Sequence, residues 1–409
     1  MSRPSGTPLM NRLYLMALVD EIGPLYALFT LWFADNGIGA AQISTVFVLW
    51  AAVAIVLELP SGAIADRVDR RQLIAVAFAL RAVGISLWLV RPTFGSVLAG
   101  AMLWAVHSSL ASGAWEAMIY DQLDRVGLAK RYGPVMARTE QASDVGIATG
   151  TLVAAGALGV GASIAQLGWI TVATHALSIW LVLSLPVTER PVPAETGSRR
   201  SVSGAVGRWW QTLRDGVGKA ARTPAVARLV VILAVVEGLF VFDEYVPLLG
   251  RDRGAPDEFV PLLVLIVWIG LLVGSELAAR RPGLSPLVLG GAMVIGGGLL
   301  WLGLRIESLA AVVLLGIGSA AIQANWVIGG ARLQERLSGE HRATGTSVRG
   351  FLGGIVNTLL FLMIAGRSIG DDPTPGLLMA AGLVVVAGLG AAVLVAPAIG
   401  RPGSAPKGG

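Results

Sequence analysis

Cysteine is absent from the chain, so neither a disulfide nor a thiolate metal site can form. Histidine occurs only at His107, His175 and His341, too scattered for a zinc cluster. Lysine stands only at 130, 219 and 407, so nearly all positive charge is arginine. Charge as a whole is scarce, at 14% of residues against 55% hydrophobic, with a mean hydropathy of +0.72. A soluble protein of 409 residues needs more charge to cover its surface. The lipid bilayer is the natural solvent for this composition. There is no metalloprotease HExxH, no cysteine nucleophile and no ATP-binding signature. A membrane-embedded enzyme and a pump driven by hydrolysis are therefore set aside, and no cofactor is expected.

Twelve apolar segments can be drawn, near 12–34, 42–64, 72–91, 94–119, 139–160, 164–186, 225–249, 260–280, 284–304, 308–331, 345–366 and 376–397. Each suits a helix of roughly 20 residues crossing the bilayer. Arg and Lys crowd the connections on one side. The other side holds only Arg91, Arg251, Arg253, Arg305 and Arg367, and Arg81 lies within a segment. That asymmetry predicts both termini in the cytoplasm. The opening MSRPSGTPLMNR lacks a small-residue cleavage site, so it is not expected to be a removed signal peptide.

The longest polar stretch divides the chain at 187–223. It reads as a cytoplasmic linker, and GRWWQTLRDGVGKAAR within it could form an interfacial helix anchored by Trp209 and Trp210. The expected organisation is a six-helix bundle over 1–186, the linker, a second six-helix bundle over 224–397, and a disordered tail over 398–409. The fold class expected is an all-α membrane protein whose two bundles are pseudo-symmetric.

The symmetry comes from an internal repeat, a mark of transporter folds. A shift of 217 residues lays Asp20 on Glu237, and Asp35-Asn36-Gly37 on Asp252-Arg253-Gly254. A shift of 211 lays Trp115 on Trp326, Asp124 on Glu335, Arg131 on Arg342 and Arg138 on Arg349.

Between the second and third segments the chain reads ELPSGAIADRVDRRQL. Gly62, Asp66, Arg67, Arg70 and Arg71 resemble the G-x-x-x-D-R-x-G-R-R loop signature of the major facilitator superfamily. Asp69 departs from it, standing where that family usually has Gly. The resemblance extends over the whole chain in length, helix count, central loop and repeat. E-x-P-x-G at Glu58–Gly62 and SGAWEAMIYDQL in the fourth segment look like a bacterial drug- or metabolite-efflux branch. The fourth segment lacks the arginine motif of many such antiporters, and the fifth lacks their Gly-Pro pair. The resemblance implies an inner-gate latch, in which Asp66 faces the eleventh segment and Arg70 or Arg71 reaches Asp121. Glu116 lies near the same end.

Ionisable groups inside a membrane are expensive and mark function or pairing. LVDEIGPLY, Leu18–Tyr26, puts Asp20 and Glu21 inside an apolar run. Neighbours on a helix diverge by about 100°, so the two cannot point the same way, and at least one is expected to face a cavity. Asp20 is preferred because Glu237 repeats it, leaving Glu21 or Asp20 to pair with Arg81. Asp20, Glu21, Arg81, His107 and Glu237 are the candidate proton-coupling groups. Tyr26, Trp115, Gln323, Asn325 and Trp326 are candidate substrate-cavity residues. The resulting expectation is a monomeric secondary transporter in the cell membrane, exchanging protons for a small amphipathic organic compound. Its partners are that substrate, protons and lipid, with no nucleic acid. Proton-coupled uptake and a non-transporting sensor are the rivals.

Overall fold

The structure, a computed structural model, describes residues 7–65, 68–187, 224–336, 339–368 and 371–395. For 58–65, 113, 225, 339–347 and 394–395 it describes the backbone alone. The linker and tail expectations, and Asp66 and Arg67, lie outside the described residues.

Every regular element among the described residues is helical. In the first half these are α1 (Thr7–Asp20), α2 (Phe29–Asp35), α3 (Ala40–Ala65), α4 (Arg70–Val90), α5 (Phe94–Arg125), α6 (Tyr132–Gly159) and α7 (Ile164–Leu183). In the second they are α8 (Pro224–Gly238), α9 (Val246–Asp252), α10 (Val260–Arg280), α11 (Pro286–Arg305), α12 (Val312–Arg336), α13 (Gly339–Arg367) and α14 (Thr374–Gly390). Thr93 and Ser163 close the N-termini of α5 and α7 by capping boxes with Ser96 and Gln166.

Ten helices among the described residues are long and apolar enough to cross a membrane. The first and seventh expected segments are missing from that set because each is broken in two. The first stops at Asp20 and resumes at Phe29; the seventh stops at Gly238 and resumes at Val246 after a 3-10 turn, Asp243–Tyr245. This corrects the expectation of continuous helices over 12–34 and 225–249. In the first break the cause is Gly23-Pro24. Proline has no N–H to donate, and its ring drives the preceding residue out of the α region. In the second, Pro247 sits in the first turn of α9, where its missing N–H costs nothing.

Backbone groups freed by a break need partners where no water competes. The Leu25 N–H donates to the Thr171 hydroxyl of α7 at 3.1 Å. The Asn357 amide of α13 donates to the Gly238 carbonyl at 3.3 Å. Each break is thus patched by a polar side chain from a neighbouring helix of its own half.

By compactness the chain falls into two units, Met1–Trp209 with Pro256–Leu262, and Trp210–Ala255 with Leu263–Gly409. Their internal packing follows one plan. In the first, α4 lies along α5 and α7, and α1 lies along α6. In the second, the counterpart α11 lies along α12 and α14, and α8 lies along α13. Glycine crossings recur as well. Gly84 abuts Gly100 where α4 meets α5, and Gly296 abuts Gly318 where α11 meets α12. Such small residues let helix backbones approach closely where lipid supplies no hydrophobic drive. The repeated tripeptides behave alike too: Gly37 and Gly254 close α2 and α9 with φ of +80° and +77°, the left-handed cap that glycine adopts without strain.

Candidate functional site at the break in the first segment

Arg81, in the middle of α4, is the centre of a buried polar cluster and is itself only 6% exposed. Its guanidinium lies 4.0 Å from an Asp20 oxygen and 4.0 Å from a Glu21 oxygen. Both acids therefore converge on one cation. The expectation that they must diverge assumed a helix through both. In fact α1 ends at Asp20, and Glu21 already belongs to a turn, so the 100° rule does not hold between them.

Two rings hold the guanidinium. Tyr26 and Trp104 each place a ring centroid 4.5 Å from Arg81 Cζ, within the range of cation–π attraction. The Tyr26 ring reaches that position because it lies over Gly23, where a Cβ would collide with it. Glycine at 23 therefore serves both the break and the ring.

The two histidines join from α5 and α7. His107 Nε2 lies 3.5 Å from Arg81 Nη1. His175, wholly buried, has Nε2 bonded to the Tyr26 hydroxyl at 2.9 Å and Nδ1 3.6 Å from Asp20 Oδ1. Asp20 Oδ1, His175 Nδ1, Arg81 Nε and His107 Nδ1 are all buried with no hydrogen-bond partner among the described residues. Native interiors rarely leave such atoms unpaired without a functional reason or a bound water.

α6 supports the break from outside the cluster. A Cβ on Gly146 would run into the Leu18 carbonyl, and one on Gly150 would lie 2.9 Å from the Gly23 nitrogen. The four-residue spacing puts both glycines on one face of α6, directly behind the turn that carries Glu21.

In the second unit Glu237 stands one residue before the end of α8, much as Asp20 ends α1, and pairs with Arg349 of α13 at 3.2 Å. Arg349 Cζ lies 5.3 Å from the Trp326 ring centre. Gly353 makes room for the acid, since a Cβ there would lie 2.9 Å from the Glu237 carboxyl carbon. An acid, an arginine and an aromatic ring therefore recur at the second break, with the arginine drawn from a different helix. Among the described residues, Trp326 Nε1 is buried without a partner. Gln323 donates to Ser275 at 2.8 Å, and the Asn325 amide to the Leu289 and Ala321 carbonyls at 3.1 and 2.9 Å. Both side chains thus spend donors on holding helices together. Trp115 packs on the core around Leu13, Met118 and Ile119.

At the start of α4, Arg70 meets Asp121 at 2.6 Å and also donates to the Ala117 carbonyl. Arg71 turns instead to Asp69, at 2.7 Å, and to the Leu185 carbonyl. Glu116 is exposed on α5. Gly62 lies on the α3 backbone. Asp69 is not strained as a substitute for glycine: its φ is −61°, and it caps α4 by accepting from the Arg71 N–H at 2.9 Å. The Arg71 hydrogen bonds hold its carboxyl below the usual carboxylate range.

Three members of the cluster were not foreseen: His175, Trp104 and Thr171. His175 carried a usable signal, since an ionisable residue in an apolar segment is a functional hypothesis by default. One string, Gly366-Arg367-Ser368-Ile369-Gly370, has the letters of the nucleophile elbow Gly-x-Ser-x-Gly. Gly366 and Arg367 are the last two residues of α13, so no strand leads into the serine; Ser368 Oγ donates to the Ile364 carbonyl at 2.9 Å, and Ile369 and Gly370 lie outside the described residues.

A many-helix membrane protein with paired broken helices and buried ion pairs has the make-up of a secondary transporter. The sequence model of the Major Facilitator Superfamily matches residues 13–361. The chain belongs to that superfamily; it is a multi-pass membrane transport protein and not an enzyme. Among solved structures it is similar to the nucleoside transporter NupG, with TM-score 0.71 and 15% identity, covering 94% of this chain and 98% of that one. It is also similar to a bacterial homolog of the human lysosomal transporter Spinster, inward-facing and unoccupied, with TM-score 0.66, 15% identity and coverage of 97% and 98%. A D-xylose-proton symporter gives TM-score 0.66, 14% identity and coverage of 96% and 98%. No curated protein matches the sequence.

Proposed function

We propose that this chain is a proton-coupled secondary transporter of a small organic compound, working by alternating access, with the Asp20–Glu21–Arg81 cluster as its proton site. One observation carries the reading: two carboxylates face a single guanidinium in a buried place. A charge left uncompensated away from water costs several kcal/mol. The cluster is balanced when one carboxyl carries a proton. It is balanced equally when a cationic substrate group takes the proton's place, while a neutral hydrogen-bond donor there lowers the cost of the surplus charge without cancelling it. Competition for one surplus charge is what exchange of proton for substrate requires, and it favours export of a cationic or neutral amphipathic compound across the cell membrane. The Arg70–Asp121 pair acts as a latch at the inner end, broken and remade as the two states interchange. The chain works as a monomer with both termini in the cytoplasm.

Uptake by symport is the second reading, favoured by likeness to a D-xylose-proton symporter. A growth-inhibition panel comparing expressing and empty cells identifies the substrate. Flux of that substrate in right-side-out and everted vesicles, under an imposed pH gradient, then gives the direction. Exchange predicts accumulation in everted vesicles acidified inside. Accumulation only in right-side-out vesicles, driven by protons entering with solute, overturns export in favour of uptake.

A further inference from the structure

We propose that His175 is a proton-positioning residue that ties the protonation of Asp20 to the Tyr26 hydroxyl, and so to one of the two rings that hold Arg81. The inference rests on the proposed proton site and goes beyond it, since it assigns a relay through a residue on α7. His175 is fully buried and spans the gap between two groups of the first break. One ring nitrogen is hydrogen-bonded to Tyr26 at 2.9 Å, and the other stands 3.6 Å from Asp20 Oδ1. At 3.6 Å no hydrogen bond is made, and closing to about 2.8 Å makes one. Among the described residues both facing atoms are otherwise unpartnered.

A neutral imidazole donates from one nitrogen and accepts at the other, so its two contacts are not independent. With Asp20 ionised, Nδ1–H points at the carboxylate and Nε2 accepts from the Tyr26 O–H. With Asp20 protonated, the acid O–H donates to Nδ1, Nε2–H donates to the Tyr26 oxygen, and the tyrosine hydrogen turns away. The step between them balances as one proton gained. A proton bonds to the Tyr26 oxygen, the original tyrosine proton passes to Nε2, and the Nδ1 proton passes to Asp20 Oδ1. No co-reactant is needed. The other charged or titratable groups around this path are Glu21 in the break, Arg81 on α4, His107 on α5, and Asp144 on α6 beyond Glu21. Of these only Arg81 also meets both, with the Tyr26 ring centre 4.5 Å from its Cζ and Asp20 4.0 Å from its Nη1, but a guanidinium that stays protonated has no acceptor and cannot pass a proton as His175 can.

The consequence is mechanical. Tyr26 lies in the unwound turn, over Gly23 and against Arg81. A reversal of its hydrogen bond changes what holds that ring, and with it the turn carrying Glu21.

The test uses the full-length protein in vesicles of phosphatidylethanolamine and phosphatidylglycerol, with pH change as the only probe. Infrared difference spectra follow the carboxyl band removed by Asp20→Asn and the tyrosine band removed by Tyr26→Phe. Nitrogen NMR with labelled histidine follows the His175 tautomer. In the wild-type protein the three signals are expected to change together. In His175→Phe, and in His175→Gln and His175→Asn, which each keep a polar atom near only one of the two contacts, the carboxyl band persists and the tyrosine response is lost. A tyrosine band that still tracks Asp20 in His175→Phe overturns the relay, as does a wild-type His175 whose tautomer stays fixed while Asp20 titrates. The comparison made in the wild type requires no His175 variant to fold. A silent Asp20 band beside a changing Glu21 band, the one removed by Glu21→Gln, overturns the relay alone; absence of any change in both carboxyls in the wild type overturns the proton site itself, which separates the two failures.

Discussion

Gly150→Ala is the sharpest test of how the first break is held. The new methyl group would lie 2.9 Å from the Gly23 nitrogen and 3.2 Å from its carbonyl carbon. Comfortable contacts between such atoms begin near about 3.5 Å, so α6 or the turn must give way by roughly 0.5 Å. The obstructing atoms are backbone next to Pro24, which cannot swing aside as a flexible side chain would. Overpacking of this kind costs about 1–3 kcal/mol. Against it stands the gain from replacing a helix glycine, about 1 kcal/mol. Gly156→Ala supplies the control, because it lies six residues further along α6 with nothing within 4 Å. Helix propensity enters both variants equally, so their difference isolates the steric term. For a unit of about 200 residues, each kcal/mol moves Tm by ~2–4 °C. Gly150→Ala should therefore melt about 2–12 °C below Gly156→Ala when unfolding is followed by tryptophan fluorescence in detergent. It should also lose gradient-driven flux, because the displaced Gly23 carries the Tyr26 ring. Equal melting temperatures for the two variants would refute the claim that α6 is seated on the break.

Asp121→Asn removes the charge partner of Arg70 at 2.6 Å; with both side chains about a fifth exposed, the loss should be about 1 kcal/mol. Spin-label distances across the inner end should shift in population, and unchanged populations would count against the latch. Asp69→Ala removes the α4 cap and should cost ~0.5–2 kcal/mol in equilibrium unfolding. Because the folded carboxyl is held below its usual range by Arg71, its contribution is present above the unfolded value near about 3.9 and is lost as pH falls through the folded value. The wild-type advantage over Asp69→Ala should therefore shrink only in strong acid. Asn325→Leu leaves the Leu289 carbonyl without its donor and should destabilise by about 0.6–1.7 kcal/mol in the same unfolding assay.

Much of the architecture was legible because hydropathy and the repeat act over long windows. The ten unbroken spans fall on expected segments, and the repeat that paired Asp20 with Glu237 placed both at helix ends. The tripeptides ending in Gly37 and Gly254 proved to be matching left-handed caps. The breaks themselves were hidden by composition. Apart from Asp20 and Glu21, Leu13–Phe33 stays apolar, and only Gly23-Pro24 marks the interruption. In the seventh segment the mark is weaker, since Pro247 lies nine residues beyond Gly238. Missing the first break is what made Asp20 and Glu21 look divergent, when the turn aims both at Arg81. Trp104 was invisible for another reason, whereas His175 stood out as an ionisable residue in an apolar segment and was passed over. Their importance lies in reaching Tyr26 and Arg81 from other helices, and helix-to-helix contacts carry no signature in local sequence.

The central claim is that the surplus carboxylate at Arg81 binds the coupled proton. It is tested most directly in proteoliposomes with the substrate found by the growth panel, comparing gradient-driven accumulation with substrate exchange at equal pH in wild type and in Asp20→Asn/Glu21→Gln. The account predicts that the double variant still exchanges substrate but no longer accumulates it under a pH gradient. Accumulation at the wild-type level in the double variant would contradict it.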